Sequence, residues 1–168
     1  MITAFIVTAV FAAPLLAAAY TDFWSMKIPN KVSVAMFAGF FLTLPLTWQG
    51  VPALAEHLGM FLVFFLAGFS LFAFGLVGGG DAKLMAAIAL WFGWGDALNF
   101  IAYTTLFGAA LGLFLMLSGS FAPIRLRTSV LGMRLFQGGK DMPYGIALAT
   151  GALFVWPTSL IGAALIGG

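Results

Sequence analysis

The chain has 168 residues, 63% of them hydrophobic and 7% charged, with a formal net charge of +2 and a mean hydropathy of +1.13. A soluble domain carries about 25% charged residues, so this composition excludes that class and indicates a polytopic membrane protein, one domain over residues 1–168. The absence of cysteine and the single histidine, His57, exclude disulfides, thiolate chemistry and multi-histidine metal centres.

A membrane-crossing helix needs about 20 mostly apolar residues. Residues 2–20 supply the first and run into polar Thr21 and Asp22. The LLAAAY segment has the small residues of a leader cleavage site, but no Lys or Arg precedes the apolar run, so a retained helix is expected. Ile28-Pro29-Asn30 is a natural stop, because Pro29 presets the backbone and Asn30 can cap a new helix. Residues 32–48 form a short second span that ends at Trp48, and residues 56–77 a third that halts at the glycines 78–80. Residues 82–94 are just long enough for a fourth, broken by GWGD at 93–96. Residues 97–117 and 143–166 complete an all-α bundle of six spans, the last with Pro157 near its end.

Charge fixes the expected orientation. With six spans, loops 21–31, 78–83 and 118–142 share one face and hold Lys27, Lys31, Lys83, Arg125, Arg127, Arg134 and Lys140. These are all seven basic residues of the chain. Lys and Arg collect in cytoplasmic loops, so this face is cytoplasmic and both termini lie outside. Omitting the fourth span would split Lys83 from the 118–142 cluster. Asp22, Asp81 and Asp141 then share the cytoplasmic face, with Glu56 and Asp96 opposite.

Ionisable groups at the membrane edge are functional-site hypotheses by default. Asp22 lies in YTDFWSMKIPNK and Asp81 in GLVGGGDAKL. If the first and fourth helices are neighbours, the two carboxyls can meet. One ionised and one protonated carboxyl can hydrolyse a peptide bond: the first takes a proton from water, the second hydrogen-bonds the carbonyl oxygen. Two carboxyls held close share a proton because both cannot ionise cheaply. Gly78, Gly79 and Gly80 can take positive φ and would let an extended peptide approach a strand-like segment. The structural alternatives are ordinary: Asp81 as a helix cap behind terminating glycines, and Asp22 as a solvated boundary residue.

Together these residues resemble the type IV prepilin peptidases, in particular the small single-function members of tight-adherence and Caulobacter-type pilus systems. The resemblance rests on D-x4-KIPN from Asp22 to Asn30, GxGD-x-KL from Gly78 to Leu84, and PYG from Pro143 to Gly145, and it covers essentially the full chain. It implies a GxGD aspartic protease of the bacterial inner membrane with Asp22 and Asp81 as catalytic pair. Lys27, Asn30, Gly78, Gly80, Lys83, Pro143, Tyr144 and Gly145 would support the site or bind substrate. The implied partners are prepilin-type precursors, cut at the cytoplasmic face after the glycine that precedes their apolar helix, and membrane lipid; no nucleic acid is expected. Larger relatives carry a cysteine-bearing insert and also N-methylate the product. This chain lacks both Cys and insert, so peptidase activity alone is expected, with no cofactor, metal or methyl donor.

Residues 119–136 could form a basic interfacial helix; anchoring topology on anionic lipid is the favoured role over guiding substrate, because their arginines would repel a basic leader. Asp141 reads as a helix cap with an optional peptide-binding role, and Tyr144 as an interfacial aromatic. His57 and Glu56 read as boundary residues, and Gly108 and Gly112 as a small-xxx-small packing stripe inside the bundle. A competing reading is a non-enzymatic transporter or channel subunit with Asp22 and Asp81 as proton or ion sites. Their position at helix edges and the lack of an internal repeat weigh against it. A presenilin-like protease would place its first aspartate within a span and use a different proline motif.

Overall fold

The computed structural model describes residues 1–121 and 142–166; 88% of these are helical, and no strand occurs among them. They form α1 (Ile2–Ser25), α2 (Asn30–Thr43), α3 (Val51–Ala73), α4 (Gly79–Phe121), α5 (Tyr144–Val155) and α6 (Leu160–Ile166). The all-α expectation holds. Ile2–Ser25, Val51–Ala73 and Gly79–Ser118 are long and apolar enough to cross a membrane, whereas Asn30–Leu46 and Tyr144–Thr158 are shorter apolar helices.

The first half of α4 is the axis of the bundle. Leu84 and every residue from Ala86 to Phe92 are buried, which requires neighbours on all sides of the helix. α2, α3 and α5 pack around α4, while α1 packs on α2 and α5. In α1 the buried residues Val7, Phe11, Leu15, Ala18 and Asp22 recur every three or four positions, so one face turns inward. The other face exposes Phe5, Leu16 and Tyr20. Leaving a large apolar side chain in water forgoes about 1.5–3 kcal/mol, a loss that vanishes in hydrocarbon. This exposed surface is therefore a lipid-facing one.

Aromatic rings join the helices at the core. Phe11 stacks on Trp156 at 4.1 Å between centroids and meets Trp91 edge-on at 5.2 Å. The indole N–H of Trp91 donates to the Met36 carbonyl at 3.0 Å, and that of Trp156 to the Thr8 hydroxyl at 3.1 Å. Both polar handles are thus satisfied inside an apolar interior.

Several helix ends differ from the sequence expectation. α1 does not stop at Tyr20 but continues to Ser25, where Met26 turns left-handed (φ 52) and its N–H returns to the Asp22 carbonyl. α3 ends before the glycine run, at Ala73, because Gly75 (φ 70) closes a Schellman turn: Leu76 N–H donates to Leu71 and Gly75 N–H to Phe72. Gly79 and Gly80 are then the first residues of α4, and none of Gly78, Gly79 and Gly80 has a positive φ. The expected strand-like segment is corrected to a helix start. The fourth and fifth apolar runs form the single stretch α4, broken at Gly93 (φ 62, ψ −164). The last run also bends, with a 3-10 turn at Trp156–Thr158 before α6.

His57 is not a boundary residue. It is buried beside Gly93, and its Nδ1 donates to the Leu90 carbonyl at 2.8 Å. A helix leaves its last four carbonyls without internal partners, and Leu90 is one of them in the half that ends at the break. The Gly108/Gly112 stripe does pack inside the bundle, on Tyr144 and Met142.

Gly151 marks the tightest crossing of α4 and α5. A Cβ there would meet the Thr104 hydroxyl, and would lie 2.8 Å from the Thr104 backbone nitrogen and 2.9 Å from its Cα. Backbone cannot yield as a side chain does, so Gly151→Val is expected to destabilise the protein by about 3 kcal/mol or more. Thermal unfolding in detergent measures this; an unchanged midpoint would contradict so close a crossing.

Candidate active site

The three sequence motifs converge at one end of the bundle. Asp22 belongs to the last turn of α1, is only 5% exposed, and its Oδ2 accepts the Gly145 N–H at 2.7 Å. It is therefore not a solvated boundary residue. The bond joins the first motif to the PYG segment across 123 residues of chain. Pro143 precedes α5 and is buried, Tyr144 is its first residue, and Gly145 presents one of the N–H groups that a helix start leaves without an internal partner.

Asp81 stands in the first turn of α4, half-buried, and accepts a hydrogen bond from the Gly78 N–H. That is the reach-back of a capping box, with the acid three positions inside the cap. Capping and chemistry are compatible here, since one N–H occupies only part of a carboxylate's acceptor capacity. Asp22 is close enough for its charge to act on Asp81, and Asp81 in turn acts on Tyr144. The Tyr144 hydroxyl shares a hydrogen bond with Thr105, and its ring lies against Gly108.

Close backbone approach explains the glycines. A Cβ on Gly80 would lie 3.1 Å from both the Cβ and the carbonyl oxygen of Ile28. A Cβ on Gly145 would lie 2.8 Å from Ile28 Cδ1, 2.9 Å from Asp22 Oδ2 and 3.1 Å from Asp22 Cβ. One on Gly78 would meet the Asp81 carboxylate at 2.7 Å. Ile28 is thus wedged between the second and third motifs, a role that its place inside KIPN could have signalled had it been read as packing. Thr105 was also missed, since the Thr104-Thr105 pair in an apolar helix carries no distinguishing pattern.

The supporting residues divide. Lys83 Nζ donates to Asn30 Oδ1 at 3.0 Å, tying the start of α2 to the start of α4. Asn30 is the first residue of α2, with Pro29 in the capping position, so the asparagine does not cap. The Lys27 side chain is exposed and makes no polar contact with another described residue; only its carbonyl is engaged, by the Ser25 hydroxyl at 3.4 Å. Asp141, the 119–136 segment and Arg125, Arg127, Arg134 and Lys140 lie outside the described residues or their described side chains.

The arrangement can carry two-carboxylate chemistry. Asp22 is held by a backbone N–H, Asp81 by another, and the pair is half-closed from solvent at a bundle end. No curated protein and no solved structure matches the chain. The pattern of the type IV leader peptidase family matches residues 9–113, a stretch that includes Asp22, the KIPN loop, the GGGD turn and both halves of the broken helix. With that match over more than half of its length, the chain belongs to the type IV leader peptidase family.

Proposed function

We propose that the protein is a membrane-embedded aspartic endopeptidase that removes the leader from type IV prepilin-like precursors. Asp22 and Asp81 activate the attacking water and polarise the scissile carbonyl. The observation that carries this reading is that Asp22, held by the Gly145 N–H, lies within electrostatic range of Asp81 at one end of the bundle in a member of a leader peptidase family. The reaction adds water across the peptide bond. The ionised carboxylate takes a proton from the water as its oxygen attacks, the protonated partner stabilises the developing oxyanion, and the amine leaves with a proton from the pair.

The chain crosses the bacterial inner membrane six times with both termini periplasmic. Support comes from the break at Gly93: an unbroken helix the length of α4 would be about 65 Å long, twice the roughly 30 Å hydrocarbon core. Two crossings that meet at the break put Lys83 on the same face as the 118–142 basic residues, as the positive-inside rule requires. Cleavage then takes place beside the cytoplasmic surface, where the basic leader remains outside the bilayer.

The test is co-expression with a prepilin and mass analysis of the product. The expected result is loss of the leader and an unmethylated new N-terminus. An added methyl group in cells lacking any other prepilin enzyme would overturn the single-function reading. An uncut precursor in the presence of correctly inserted protein, for every prepilin tried, would overturn the protease reading itself.

A further inference from the structure

A groove of about 390 Å³ lies between α2, α3 and the start of α4. Phe37, Phe61 and Phe65 form its walls, and Asn30, Ser33 and Lys83 are the polar residues in its lining. Lys83 and Asp81 are two positions apart on a helix, which sends them to opposite sides, so the groove does not open on the carboxylate pair. No acid lines it.

We infer that this groove is a binding site for an anionic phospholipid, with an acyl chain between the phenylalanines and the phosphate on Lys83. Two observations favour that occupant. Phe65 is 43% exposed, so the apolar wall is continuous with the lipid-facing surface. Lys83 has no carboxylate partner among the described residues and spends one of three N–H donors on Asn30, leaving two for a phosphate. A cation set between helices at the inner surface is the arrangement that recognises anionic headgroups. The inference does not depend on Asp22 or Asp81 performing catalysis.

The test is photocrosslinking of the full chain in nanodiscs with a phosphatidylglycerol carrying a photoreactive acyl chain. Crosslinks are expected to concentrate on Phe37, Phe61 and Phe65, and to be competed by unlabelled phosphatidylglycerol better than by phosphatidylcholine. Lys83→Gln should weaken labelling about fivefold and Lys83→Arg should restore it. Val34→Trp, which fills the groove from an exposed position and keeps the lysine, should abolish it. Equal labelling of the exposed Phe69 and Leu106 would mean annular lipid only and overturn the site. Displacement of the crosslink by an apolar helical peptide, with no headgroup preference, would assign the groove to a peptide instead.

Discussion

Leader removal is expected to fall by roughly 10²–10⁴-fold when either Asp22 or Asp81 is replaced by asparagine, the range over which a positioned acid or base contributes. The substitution is chosen because it should leave the fold intact. Asparagine keeps a carbonyl oxygen that can accept the Gly145 N–H in place of Asp22, or the Gly78 N–H in place of Asp81. Neither position is part of a described ion pair whose loss would strand a charge. The double variant is expected to be little slower than either single one, since two groups that share one proton act as a unit and their losses do not add. Single-turnover cleavage in proteoliposomes, with circular dichroism on the same samples, provides the measurement. Near-normal cleavage by either single variant would remove that residue from the chemistry, and a lost helical signal would show that the substitution had acted through the fold.

The second large effect is expected at a residue with no side chain. Gly145→Ala places a methyl group 2.9 Å from the Asp22 carboxylate oxygen and 2.8 Å from Ile28 Cδ1. Ile28 can turn away, but the carboxylate is held against the same residue's N–H, so it must tilt out of position. A misplacement of about 1 Å at a reacting group costs on the order of 10²-fold, which sets the expected loss in kcat. The packing cost is about 1–3 kcal/mol. Adding Ile28→Val separates the two effects, because it removes the Cδ1 methyl at a cost of only about 0.5–1.5 kcal/mol and leaves the contact with Asp22. The double variant should regain stability without regaining cleavage. Recovery of both would mean that Gly145 matters only for packing.

Membrane character, helical class and family were legible in the chain because they depend on composition and on short patterns. An apolar excess of this size has one physical outlet, and the three polar motifs interrupt apolar runs where a span must end. The family resemblance drawn from Asp22, the KIPN loop, GGGD and PYG agrees with the family match over residues 9–113. Helix ends were less legible. The Schellman turn forms at Gly75 and not at the run of three glycines, because a turn depends on which residue reaches positive φ and not on how many glycines are adjacent. The chain alone left Asp22 open to the alternative of a solvated boundary residue, since the Gly145 N–H that holds it lies far along the sequence. His57 passed for a boundary residue since its partner, the Leu90 carbonyl, is freed only by the break at Gly93.

The sequence by itself determined that the protein is an all-helical membrane protein with two acids flanked by motif residues, because hydrophobicity and local backbone preference are properties of neighbours in the chain. Only the tertiary structure decided that Gly80 and Gly145 are bare so that Ile28 and Asp22 can touch them, that Lys83 binds Asn30, and that a groove opens behind α4. Those are contacts between residues distant in sequence, and they exist only once close packing has brought the helices together.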